Sequence, residues 1–251
     1  MAGSTGAVLD QIRRAGCVGD LGHAVKGVQR RCGTERVAFA LELPAVGPDA
    51  DGVIAGDGVW ARRGRIFVFG TYPAVWIDRY FERGYETIDP VCRAAETRAV
   101  AFCWDELDWS APEAAGLLED ARAHGVGPRG VTAPVRGPGG RLGLLSVAAP
   151  VEPTPAEARW SLAGDLALIG LALHERALGL LGALPEPSPL TWAQAEALRQ
   201  LAEGRTRREG AAVLGLTESA FAARVSRARA RLGARSATYA VAAALAGGWL
   251  G

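Results

Sequence analysis

Two stretches of this chain hold residues whose types and spacing can do chemistry. The first is TYPAVWIDRYFERGYETIDPV, Thr71–Val91. Pro73 suits a helix start, so Trp76 and Tyr80, four residues apart, share a face and can line one wall of a cavity. An indole N–H only donates, a carboxylate such as Asp89 only accepts, and a phenol can donate. On these residues alone, two core aromatics and a turn aspartate before Pro90 are the commoner reading, and a binding wall is the other. The second stretch is Thr217–Leu232. Phe221, Val225, Ala228 and Leu232 fall on one helical face, and Arg224, Arg227 and Arg231 on another. Guanidinium groups suit phosphate oxygens and can read guanine in the major groove. An isolated arginine stripe can equally be a solvated face. This one lies on the third of four short helices, after the tight turn Gly215-Leu216, which favours DNA.

Other chemistries find little support. The histidines at 23, 124 and 174 are scattered, and no HExxH, GxSxG or phosphate-loop pattern occurs. Gly137–Gly143 superficially resembles a phosphate loop but lacks the following helix, so it reads as a hairpin turn. Cysteines 17, 32, 92 and 103 show no CxxC spacing. They are expected to be buried free thiols rather than metal ligands or a disulfide framework. The expectation is a protein that is not an enzyme, with no metal and no cofactor.

The elements that must position these residues are marked along the chain. It has 251 residues, 49% of them hydrophobic and 22% charged, which suits a globular chain of one large or two smaller domains. The net charge of +1 hides an asymmetry. Residues 190–251 carry nine Arg and four Glu for +5, and residues 1–189 sum to −4, so a basic module follows an acidic body. The boundary falls at LPEPSP, Leu184–Pro189, where prolines break any helix. The longest apolar runs, Val241–Leu250 and Leu166–Leu173, fall short of the roughly 20 residues that span a bilayer. With no signal-peptide pattern at the N-terminus, a soluble cytoplasmic protein is expected, with no membrane partner.

Before the boundary, Ala7–Ala15 and Leu21–Arg31 read as helices, and Val37–Leu43, Ile66–Phe69 and Ala99–Cys103 as strands. Gly47–Gly58 reads as a loop. Val131–Val135 and Leu142–Val147 flank the turn RGPGGR and read as a hairpin. Ser110–Glu113 and Thr154–Glu157 look like capping boxes. The helix from the second could run to about Leu181, with Leu162, Leu166, Ile169, Leu173 and Ala177 in one stripe that packs on the sheet or serves dimerisation. After the boundary come helices at Leu190–Glu203, Arg207–Leu214, Thr217–Leu232 and Ser236–Leu245.

The C-terminal segments LT (190–191), LAEGRTRRE (201–209), LGLTES (214–219) and RLGARSATYAV (231–241) resemble, in order, the helix-turn-helix of the LuxR family of transcriptional regulators. Trp76, Tyr80, Asp89, Pro90 and Trp104, with Gly130 close to the family's spacing, resemble its acyl-homoserine-lactone-binding domain. GRLGLLS (140–146) matches its pocket hairpin. The resemblance covers nearly the whole chain, and the Tyr-Pro-x-x-Trp-x-x-x-Tyr…Asp-Pro combination is specific. It implies a ligand site in which Trp76 donates to the lactone carbonyl, Asp89 accepts from the amide N–H, and Tyr72 and Ser146 donate to the amide carbonyl. Tyr80, Tyr85, Val91 and Trp104 would pack on lactone and acyl chain. It implies DNA contacts from Arg205, Arg207, Thr217, Ser219, Arg224, Arg227 and Arg231.

The fold expected is α+β: an N-terminal α/β/α sandwich around an antiparallel sheet (1–183), a linker (184–189) and an all-α four-helix helix-turn-helix domain (190–251). The function expected is a quorum-sensing regulator that binds an acyl-homoserine lactone and double-stranded DNA as a homodimer. The chain departs from the family pattern at Ala193-Gln194, Gly210, Ala220-Phe221 and Ala237. These departures motivate the alternative, a diverged relative with impaired DNA binding that acts as an anti-activator by heterodimerisation.

Overall fold

Period-two burial builds the central sheet. The computed structural model describes residues 4–34, 36–43, 52–55, 59–63, 66–137, 140–148, 156–182 and 187–250. In strand β1 (Arg36–Glu42), Val37, Phe39 and Leu41 are buried on one face, and Ala38, Ala40 and Glu42 occupy the other. The described strands form one antiparallel sheet of seven, in the order β2-β3-β4-β1-β7-β6-β5. The others are β2 (Gly52–Ala55), β3 (Val59–Arg63), β4 (Ile66–Gly70), β5 (Phe102–Cys103), β6 (Gly130–Arg136) and β7 (Leu142–Ala148). The β6–β7 hairpin forms as expected and pairs Arg136 with Leu142 and Thr132 with Ser146.

Helices cover both faces, giving the α/β/α sandwich. On one side lie α1 (Thr5–Arg14), α2 (Val18–Cys32) and α6 (Ala156–Leu180), packed on Phe39, Phe69, Leu145 and Val147. Leu166, Ile169, Leu173 and Ala177 are buried in that core, so the α6 stripe packs on its own sheet. Leu168 and Leu171 stay exposed. On the other side lie α3 (Ala74–Glu82), α4 (Pro90–Thr97) and α5 (Pro112–Ala123). Among the described residues, no helix is long and apolar enough to cross a membrane.

Four local readings are corrected. The stretch expected to be a loop, 47–58, contains β2. It is an edge strand that pairs only with β3, and an edge tolerates the glycine and the brevity that hid it. The strand expected over 99–103 shortens to Phe102–Cys103, because α4 runs to Thr97 and the chain bends at Ala99 and Val100 before the strand begins. Ser110 does not cap α5: Ala111 holds that position, and the Ser110 amide instead donates to Asp108 (2.9 Å). Finally, Cys17 is exposed, so the expectation of buried thiols fails there; Cys32, Cys92 and Cys103 are half-buried residues, and burial raises the thiols of Cys32 and Cys92. The capping box expected at Thr154–Glu157 lies largely outside the described residues.

The chain divides into two compact units. One takes Met1–Gly137 and Arg141–Leu184, and the other Pro185–Gly251. The second is built from α7 (Trp192–Ala202), α8 (Arg207–Val213), α9 (Glu218–Arg231) and α10 (Ala237–Ala246). Thr191, Thr206, Thr217 and Ser236 each accept an amide N–H of the first turn, satisfying donors that a helix start leaves open. Phe221, Val225 and Ala228 are buried in its core. Gly210 faces Phe221: a Cβ there would stand 2.8 Å from the phenyl Cζ and 3.1 Å from Gln200 Cβ. The two departures therefore form one packing exchange, in which lost volume in α8 accommodates added volume in α9.

Gly210→Val should overpack this contact and cost about 1–3 kcal/mol. Phe221→Val should leave a void and also cost about 1–3 kcal/mol. The double variant should recover about 1 kcal/mol or more relative to the sum. Urea unfolding of all four proteins reads the coupling, and strict additivity would contradict the exchange.

Candidate functional site

The sheet face opposite α1, α2 and α6 borders a cavity of about 500 Å³. Its floor is laid down by strand register. Ser146, Leu144 and Leu142 of β7 lie beside Ala38 and Ala40 of β1, which lie beside Val68 and Ile66 of β4. Trp76, Ile77, Tyr80 and Phe81 of α3, with Val91 and Cys92 of α4, form much of the opposite wall. The lining is mainly apolar, with a few polar groups, which is the usual composition of a small-molecule site.

Asp89 is the N-cap of α4, with Pro90 at the first helical position. Its Oδ1 accepts from the Val91 amide (2.8 Å) and its Oδ2 from the Tyr80 hydroxyl (2.8 Å). Burial raises the Asp89 carboxyl above its ordinary value, against the hydrogen bonds from Tyr80 and Val91, which hold it down. Burial likewise raises the phenols of Tyr72 and Tyr80, and pushes the Cys92 thiol up to about 12. These phenols and the thiol are neutral donors at neutral pH. Among the described residues, the buried Tyr72 hydroxyl has no partner. Among the described residues, the Trp76 indole N–H also has no acceptor.

One aromatic residue departs from expectation, and another has its polar atom already committed. Tyr85 does not line the cavity. Its ring stands behind Trp76 and Tyr80, 6.0 and 5.9 Å from their centroids, and its hydroxyl donates to Asp120 Oδ2 (2.8 Å) on α5. Arg79 donates to the same oxygen (2.5 Å) and holds the Asp120 carboxyl below its usual range. Trp104 does line the cavity, but its indole N–H donates to Thr132 (2.8 Å). Its ring lies against the backbone of Gly130, where a Cβ would come within 2.5 Å of it, so only glycine leaves room. Sequence reasoning missed Thr132, Asp120 and Arg79. The hairpin register carried the signal for Thr132, since it faces Ser146 directly; nothing local marks Asp120 or Arg79.

In the second unit the arginines split by partner. Arg205 pairs with Glu203 and donates to Gln200 (2.8 Å), and Arg231 donates to the Pro189 carbonyl (2.8 Å). Arg227 is exposed, with only a long bond to the Ala223 carbonyl (3.2 Å). Among the described residues, exposed Arg207 and half-buried Arg224 have no partner. Thr217 and Ser219 bond each other (3.1 Å) at the exposed start of α9.

Residues 20–177 match the family model for the autoinducer binding domain. The chain belongs to this family, that of the LuxR-type regulators. A LuxR-type relative, the transcriptional activator protein RaiR of Rhizobium etli, is 32% identical over 169 residues, 64% of this chain and 68% of RaiR. The quorum sensing-dependent transcriptional regulator VjbR of Brucella abortus is 31% identical over 189 residues, 71% of each chain. Among solved structures, SdiA of Escherichia coli shares the fold across 98% of this chain and 97% of its own, with a TM-score of 0.59 and 23% identity. These LuxR-type relatives are transcriptional regulators rather than enzymes.

The raised carboxyl of Asp89 yields a stability prediction. A folded-state value above the unfolded one means that the native state binds the proton more tightly. Asp89 therefore lowers stability as pH rises from the ordinary aspartate value of 3.8 to its own higher one, and the cost is constant above that. Asp89→Asn keeps a helix N-cap residue and removes the charge. The variant's stability relative to wild type should rise across that window and stay level towards neutral pH, as read by urea unfolding of the ligand-free protein. A relative stability that falls across the window would contradict the assignment.

Proposed function

We propose that the chain is a quorum-sensing transcriptional regulator of the cytoplasm. It binds an N-acyl homoserine lactone in the cavity of residues 1–183, and double-stranded DNA through residues 190–251 as a homodimer. The observation that carries the reading is an apolar cavity in which a buried carboxylate and an unpartnered buried phenol both await a ligand. A lactone amide fits that inventory. Asp89 Oδ1, which accepts from the Val91 amide, keeps a lone pair for the amide N–H, while Oδ2 accepts from Tyr80 and, more weakly, from the Cys92 thiol. Tyr72 and Ser146 donate to the amide carbonyl, Trp76 donates to the lactone carbonyl, and Tyr80, Val91 and Trp104 pack on the ligand. Tyr85 supports that wall from behind. The resident small molecule is a signal, and neither a cofactor nor a metal is needed.

The mutual fit of Gly210 and Phe221 accounts for two of the departures that motivated the reading of impaired DNA binding, which supports a folded DNA-binding unit. In this reading, α9 enters the major groove, with Arg224 and Arg227 as the leading contacts and Arg207 on phosphate. Arg205 and Arg231, with internal partners, contribute less. A C2 dimer would present two such helices to a pseudo-palindromic site.

Saturated N-acyl homoserine lactones from butanoyl to tetradecanoyl should raise the melting temperature. The stabilisation should reach about 2.7 kcal/mol when ligand stands at about one hundred times its dissociation constant. Asp89→Ala, which leaves the amide N–H unpaired, should weaken binding by about 5- to 150-fold in calorimetry. No shift with any chain length would overturn the ligand reading.

For the DNA reading, Arg224→Ala in the ligand-loaded protein should cost about 1–3 kcal/mol and relax preference at one position in a selection from random duplexes. Arg227→Ala should weaken all sequences and flatten the salt dependence if it contacts phosphate. Binding without sequence preference that is indifferent to Arg224 would contradict direct gene regulation.

A further inference from the structure

Behind Ser146 runs a chain of three groups whose protons can be counted. The Trp104 indole N–H donates to Thr132 Oγ1 at 2.8 Å, and Thr132 Oγ1 lies 2.8 Å from Ser146 Oγ. Thr132 is fully buried, while Trp104 and Ser146 both line the cavity. An indole N–H has no acceptor capacity, so the first bond can run in one direction only. Thr132 then holds one proton of its own. If Ser146 donated to Thr132, that proton would have no acceptor among the described residues. A buried unmade hydrogen bond is costly, so the proton goes to Ser146. Ser146 already accepts from Thr132, and its own O–H is left to point into the cavity.

We infer that Thr132 is a specificity-determining positioning residue. The one-way relay Trp104→Thr132→Ser146 occupies one of the two Ser146 lone pairs and turns its O–H toward the cavity, so the cavity favours ligands that place a carbonyl acceptor there. This rests on the lactone reading above. Thr132 does not line the cavity; it acts by occupying one Ser146 lone pair and fixing where the Ser146 O–H points. A ligand that offers only a donor at that point could use the remaining Ser146 lone pair but would leave the Ser146 proton without an acceptor. The relay also removes the Trp104 N–H from direct ligand binding, so this tryptophan serves the ligand with its ring only.

The test uses the full chain, an N-acyl homoserine lactone and its thioamide isostere, in which a sulfur of weak acceptor strength replaces the amide oxygen. Calorimetry on Thr132→Val should show about tenfold weaker binding of the amide and a smaller loss for the thioamide. Thr132→Ser should restore both affinities. In a Ser146→Ala background, Thr132→Val should add no further loss. A merely structural role would cost the same for both ligands and in both backgrounds, and that result would overturn the relay. Proton exchange of the Trp104 indole in the ligand-free protein tests the first link without any ligand. Exchange should be slow in wild type and Thr132→Ser and faster in Thr132→Val; fast exchange in wild type would overturn the relay at that link. A wild type that binds neither compound but keeps the slow indole proton would count against the lactone reading alone.

Discussion

The Asp89 carboxylate, buried at the first turn of α4, is the interaction on which the cavity depends. One oxygen holds the start of the helix through the Val91 amide, and the other holds Tyr80 on the facing wall. A single side chain thus joins α4 to α3 across the space that a ligand would fill. Isolated carboxylates do not survive burial unpaired, and these two bonds are what keep this one in place. The Cys92 thiol adds a weaker contact to Oδ2 (3.9 Å), which leaves Oδ1 the more open oxygen, so satisfying the fold does not exhaust the acceptor.

The rest of the wall follows the same logic of committed and uncommitted groups. Tyr85 and Trp104 spend their polar atoms on protein partners, Asp120 and Thr132, and so act as shaped apolar surface. Tyr72 and Trp76 spend none among the described residues. Two aromatic residues fix the geometry and two keep their donors, although all four belong to types equally able to do either. Arg79 and Asp120 matter through this division: by anchoring Tyr85 behind Trp76, they stiffen the wall that carries the free indole.

What was legible in the sequence was local. Trp76 and Tyr80 share a face because they are four apart in a helix. The turn expected at Asp89-Pro90 is in fact the start of α4, which the same two residue types suit. The caps at Thr191, Thr206, Thr217 and Ser236 follow from the same short-range chemistry. The β6–β7 hairpin was legible too, and counting its register would have paired Thr132 with Ser146. By contrast, Tyr85 was assigned to the ligand because nothing near it announces Asp120, 35 residues away. Strand β2 escaped because an edge strand needs only one partner, and glycine and aspartate around it wrote a loop signal over it. Ser110 failed as a cap because Asp108 took its amide and the helix began one residue later, at Pro112.

The helix-turn-helix shows why departures from a family pattern cannot be weighed one position at a time. A glycine inside α8 costs about 1 kcal/mol against alanine when judged by propensity, and a phenylalanine in the core of so small a unit looks like overpacking. In space each is the reason for the other, since a Cβ on Gly210 would collide with the Phe221 ring. The core keeps its volume, and α8 and α9 keep the close approach that a helix-turn-helix requires. The arginine stripe needs the opposite correction. Three arginines on one face read as equivalent, yet Arg231 is tied to the Pro189 carbonyl while Arg224 has no partner among the described residues. A guanidinium already bonded to the chain must break that bond before it can meet a phosphate. The charge offered to DNA in the proposed complex is therefore concentrated in the middle of α9, at Arg224 and Arg227, rather than at its C-terminal end.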